Sequence, residues 1–143
     1  MNNSSVQICH WAFFLMKYII LLLISFISFE IMAKNISELS WNKRLLIISY
    51  QEKNSQILKE ANKFISDNKC EIEDRNLEII FFEDFKNKDF SIPKFVKSKY
   101  GVWLIGYDGM VKDYSSDDKI FLKLFNLIDS MPIRKDEMLK DKC

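Results

Sequence analysis

Three arginines stand in the 143 residues, at positions 44, 75 and 134. Arginine suits planar, two-point pairing with a carboxylate, because its guanidinium is always charged and its N–H groups form a rigid fork. Acids stand close in sequence: Asp74 beside Arg75, and Asp129 and Glu137 on either side of Arg134. Three chemistries are open to this set. Asp74, Asp129 and Glu137 can form structural ion pairs that pin the C-terminal segment to the fold. Arg75, Lys112 and Arg134 can together receive an anionic ligand or partner. Asp129 or Glu137 can serve as general acid or base.

Other chemistries are excluded by what is missing. The single His is His10, so residues 34–143 hold no His for a triad, a general base or a metal. The three Cys, at 9, 70 and 143, stand far apart and match neither a disulfide framework nor a zinc site. Cys70 and Cys143 can pair in an oxidising compartment, which the loop-entropy relation values at about 4 kcal/mol, or remain idle thiols. Three Gly leave no phosphate-cradling loop. The 21 Lys+Arg balance 20 Asp+Glu to a net +1, which excludes a nucleic-acid binder relying on basic excess. No cofactor, metal or nucleic acid is expected.

The N-terminus reads as an address. Residues 18–29 are an uncharged, mostly apolar run, with Lys17 before it and Glu30 after it. A basic residue, a short apolar core and a small residue at Ala33 match a secretory signal peptide. Met16-Lys17 makes a better start than the uncharged residues 1–15, so translation is expected to begin at Met16. The rival is an uncleaved N-terminal anchor. The expected division is a signal peptide at 1–33, a domain at 34–138 and a charged tail at 139–143. Losing Lys17 and Glu30 leaves the net charge unchanged.

Within the domain, residues 44–50 form a short continuous apolar run, the pattern of a strand buried on both faces. Ile57, Leu58, Ala61, Phe64 and Ile65 make one helical stripe that ends near Asn68 and Lys69. Residues 77–82 read as a second strand, so strand, helix and strand form a β-α-β unit with parallel strands. The charged stretch 83–99, with five Lys, reads as a solvated loop with Phe95 and Val96 facing inward. Residues 102–105 and 110–114 read as a hairpin around Asp108-Gly109, where glycine supplies the positive φ of the turn. Ile120, Leu124, Leu127 and Ile128 form a second stripe, which Pro132 stops. Trp41 and Trp103 are expected in the core. The predicted fold is α/β and thioredoxin-like: β-α-β, then β-β-α, around a four-stranded mixed sheet.

A redox thioredoxin places Cys-x-x-Cys after its first strand, where the helix N-terminus lowers the thiol pKa. Residues 50–55 hold no Cys. Fold therefore does not carry activity here.

Four stretches stand out: Trp-Asn-Lys-Arg-Leu-Leu-Ile-Ile at 41–48, Glu-Asp-Arg-Asn-Leu at 73–77, Leu-Ile-Gly-Tyr-Asp-Gly-Met-Val-Lys at 104–112, and the stretch 128–138 around Met131-Pro132. Together they resemble the domain-of-unknown-function family 4174. All three arginines fall within them. Tyr107 and Ile133 depart from the family pattern, which usually has Lys and Met there. The resemblance implies a thioredoxin-like fold in an extracytoplasmic place, with no established activity. The expected role is a non-catalytic secreted or periplasmic module that binds an envelope or extracellular protein or supports an envelope assembly. A divergent thioredoxin- or peroxiredoxin-like oxidoreductase and a small-anion-binding protein are the alternatives. The membrane enters only through the signal peptide or anchor.

Overall fold

The computed structural model describes residues 34–138. The signal-peptide, start-site and charged-tail expectations lie outside those residues. Four strands make one sheet: β1 (Arg44–Tyr50), β2 (Leu77–Glu83), β3 (Gly101–Ile105) and β4 (Val111–Ser115), in the order β2-β1-β3-β4. β1 runs parallel to β2, from Arg44 opposite Leu77 to Tyr50 opposite Glu83. It runs antiparallel to β3, and β3 pairs antiparallel with β4, with an irregularity between Leu104 and Ile105. Parallel pair, antiparallel hairpin and packed helices are the thioredoxin-like arrangement expected from the sequence.

The apolar run of β1 is explained by burial on both faces. Leu46, Ile48 and Tyr50 point one way, into a core with Ala61, Ile72, Leu104, Ile120, Leu124 and Ile128. These last residues bring in α1 (Gln56–Asp67), α2 (Lys69–Asp74) and α3 (Ile120–Asp129). Leu45 and Ile47 point the other way, into a core with Ile36, Ile80, Phe82, Val96, Trp103 and Ile105. A single-faced sheet would show alternation instead.

The second core is covered by residues 83–99, a stretch whose composition predicts a solvated loop. Phe85, Phe90, Ile92 and Phe95 pack against it, and Val96 is fully buried. The five Lys of the stretch all face solvent. Charge dominates its composition, but four aromatic or aliphatic side chains suffice to seal a sheet face that water would otherwise wet. Lys34 ties the N-terminal end to this cover, with its N–H donating to the Asp89 carbonyl at 2.7 Å.

Two short helices depart from expectation. The chain does not stop at Lys69 but turns into α2, whose single buried residue is Ile72. Pro132 stops α3 and also opens α4 (Pro132–Glu137). Proline fits a first helical turn because its missing N–H would have no partner there. Trp41 is the clearest reversal. It is 71% exposed rather than buried, and its backbone sits at φ 68. Trp103 is buried.

Candidate functional site

The three arginines converge below the N-terminal end of β1, and all are buried: Arg44 is 1%, Arg75 8% and Arg134 3% exposed. The parallel register places Arg44 opposite the start of β2, beside the turn at Arg75 and Asn76. Asn76 adopts φ 48, and its carbonyl accepts from the Arg44 N–H at 3.0 Å. Helices α3 and α4 then bring Asp129, Arg134 and Glu137 onto the same spot.

Asp129 is the hub. Arg75 grips it side-on, Nε to Oδ1 at 3.0 Å and Nη2 to Oδ2 at 2.7 Å. Arg134 Nε donates to the same carboxylate at 3.1 Å. Arg75 Nη1 donates to the Glu71 carbonyl at 3.1 Å and to its carboxylate. Arg134 Nη1 donates to the Asp74 carbonyl at 3.0 Å, and its Nη2 to the Asp74 carboxylate. The Phe125 ring lies 4.5 Å from the Arg75 guanidinium carbon. Every guanidinium nitrogen of Arg75 and Arg134 therefore has an acceptor, all from the chain itself.

Arg44 anchors a second knot. Its Nη1 donates to the Arg75 carbonyl at 2.8 Å, to Glu137 Oε2 at 2.9 Å and to the Tyr107 hydroxyl at 3.2 Å. That hydroxyl donates to Glu137 Oε1 at 2.7 Å and accepts from Asn76 Nδ2 at 3.1 Å. The Tyr107 ring also covers the Arg44 guanidinium, 4.1 Å from its centroid. Tyr107 thus fills its place with a ring and a hydroxyl bonded to a carboxylate, rather than with a cation.

The electrostatics follow the geometry. Burial pushes the Asp129 carboxyl up, but hydrogen bonds from Arg75 and Arg134 outweigh it and hold the carboxyl below its ordinary value. Burial lowers Arg75, but its bonds to Asp129 and Glu71 hold it above the ordinary range. Burial and the bond to Glu137 together raise the Tyr107 hydroxyl. A carboxyl held ionised is poorly suited to donate a proton near neutrality.

The anion set expected from the sequence divides. Arg75 and Arg134 share Asp129, but Lys112 belongs to the hairpin, where its Nζ lies 2.6 Å from Asp108 Oδ2. Asp108 is held low by that lysine and by the Met110 N–H. Gly109, at φ 72, donates its N–H to the Gly106 carbonyl, closing the turn. Asp74, Asp129 and Glu137 all lie in ion pairs with arginine. Cys70 is disulfide-bonded, and Cys143 lies outside the described residues. Among the described residues, no group of three or more His, Cys, Asp or Glu is placed to hold a metal ion. No described helix is long and apolar enough to cross a membrane.

Sequence reasoning placed all three arginines among these acids but missed Tyr107, Asn76 and Glu71 as members of the network. One signal was present, the i, i+4 spacing of Glu71 and Arg75. Trp41, Tyr107, Arg44, Lys112, Met131 and Ile133 line a solvent-open cavity of about 380 Å³. Trp41 is fastened there by its backbone N–H, which donates to the Tyr107 carbonyl at 2.6 Å.

A comparison with curated proteins returns no match. Among solved structures, the chain is similar to thioredoxin peroxidase I of Plasmodium yoelii, at 14% identity and a TM-score of 0.49, covering 76% of this chain and 82% of that one. It is also similar to the mitochondrial 2-Cys peroxiredoxin of Plasmodium falciparum, at 18% identity and a TM-score of 0.46, covering 76% and 85%. The sequence pieces at 104–112 and 128–138 fall beyond the stretch matched by a family model. Residues 35–95 match the model described as Domain of unknown function (DUF4174), the family that the sequence resembles.

Proposed function

We propose that this domain is a non-catalytic binding module of a secreted or periplasmic compartment. The N-terminal apolar segment delivers it there or anchors it. The module docks an envelope or extracellular protein through the face around Trp41. The observation that carries this reading is Trp41 itself, a large apolar side chain 71% exposed on a left-handed backbone. The left-handed conformation costs a non-glycine residue about 1–2 kcal/mol. Glycine at this position would remove both the exposed indole and the strain. A fold that bears both costs at one residue supports a role for that residue outside its own core.

The surroundings support the same reading. Met110 and Ile133 are exposed on the hairpin and on α4. The arginine network beneath holds hairpin, β1 and α4 in one arrangement, the kind of rigid support a binding face needs. The test is capture from envelope extract by the purified protein, comparing wild type with Trp41→Glu and Ile133→Glu. Both variants should keep the wild-type melting temperature and lose at least about tenfold in capture, as expected of an interface anchor. Equal capture by wild type and both variants would contradict the reading.

A further inference from the structure

The three arginines differ in one respect. The Nε–H and one Nη2–H of a guanidinium run side by side and form the edge that grips a carboxylate at two points. On Arg75 that edge is taken by the two oxygens of Asp129. On Arg134 it is taken by Asp129 and Asp74. On Arg44, neither Nε nor Nη2 has a hydrogen-bond partner among the described residues, and both atoms are buried. Leaving a buried charged donor unsatisfied costs more than leaving a neutral one unsatisfied. Arg44 is also the arginine that lines the cavity of about 380 Å³ beneath Trp41.

We infer that this cavity is a binding site for a small organic monocarboxylate, whose two oxygens take the Nε and Nη2 edge of Arg44. The volume lies within the range of small-molecule sites, which are mostly apolar with a few placed polar groups. Trp41, Met131 and Ile133 supply apolar walls for the body of the acid. Lys112 is paired with Asp108 and Arg44 with Glu137, so what the site offers an anion is the unfilled Nε and Nη2 edge rather than a net charge. Glu137 binds Arg44 on the opposite side, through Nη1, and leaves the free edge unopposed. Because both free N–H groups are buried, wall side chains must give way for the acid to reach them. Trp41, 71% exposed, and Ile133, 47% exposed, are the wall side chains least held by the core. The site goes beyond the docking of a protein partner and does not depend on it.

The presence of three arginines makes the test direct. The Nε–H groups give three cross-peaks in a ¹⁵N–¹H spectrum of the full chain, and loss of one in Arg44→Lys assigns the Arg44 signal. Addition of 3-phenylpropanoate should move the Arg44 signal and leave those of Arg75 and Arg134 in place. The neutral 3-phenylpropanol should move none. Lys112→Gln, a change at the half-exposed hairpin, should weaken the titration by about threefold, as for one partly solvated charge pair. Four outcomes overturn the assignment: no movement at millimolar acid, equal movement with the alcohol, movement of the Arg75 or Arg134 signal instead, or a response only to a peptide ending in phenylalanine.

Discussion

The two ends of β1 are built in opposite ways. At the Tyr50 end, where a redox thioredoxin carries its cysteines, residues 51–54 are all exposed. Ser55 caps α1 without a side-chain hydrogen bond, and the nearest ion pair, Lys53 to Glu83, is long at 3.8 Å and solvated. At the Arg44 end, three buried arginines meet Glu71, Asp74, Asp129 and Glu137, with a strained, exposed tryptophan above them. Buried ion pairs seldom raise stability over an apolar core, since desolvation offsets the attraction. What such a network can supply is a fixed arrangement. The contrast therefore locates the organised polar chemistry of this fold at the end opposite its usual reactive one.

The largest expected effect comes from removing the hub of that network. Asp129→Ala leaves Arg75 and Arg134 buried without their shared acceptor and should cost about 3–5 kcal/mol in urea unfolding. A cost under about 1 kcal/mol would mean that the two ends are energetically alike. Acid provides a second probe. The folded pKa of Asp129 is depressed, so its stabilisation is complete above the ordinary value of 3.8 and is lost as pH falls toward the lowered value. Wild type should therefore lose stability through that window, and Asp129→Asn should flatten the loss. An identical acid profile in the two proteins would count against a load on Asp129.

Smaller effects sharpen the comparison. Trp41→Gly relieves a left-handed backbone but loosens the unfolded chain, and the two should leave a gain of about 1 kcal/mol or less in thermal melts. Capture of the partner should fall in the same variant. A clear loss of stability would instead make Trp41 a structural residue. At the other end of β1, Lys53→Ala should change stability by no more than about 0.5 kcal/mol, because the pair it breaks is exposed. A larger loss would show that the bare end carries more than its geometry suggests.

The sheet was legible because its signals are local. Leu45 to Ile48 form an unbroken apolar run that only two-sided burial explains, and the Asp108-Gly109 turn sits where a hairpin needs it. The short helices were not. α2 keeps a single buried residue, Ile72, too few for a periodic stripe, and Pro132 is compatible both with ending α3 and with opening α4. The arginines stood out by type, but their roles depend on contacts across 31, 54 and 93 residues of sequence. No spacing rule distinguishes an arginine with a filled edge from one with a free edge. Trp41 defeated a sound expectation, since tryptophan is usually mostly buried and the backbone turn that exposes it leaves no sequence signature.

The central claim, that the binding face lies at the Arg44 end of β1, is tested most directly by site-specific photo-crosslinking. A benzophenone side chain placed at position 41 or at position 53, both exposed, reports which end the partner touches. A crosslinked partner band is expected from position 41 and none from position 53. A band from position 53 alone would contradict it.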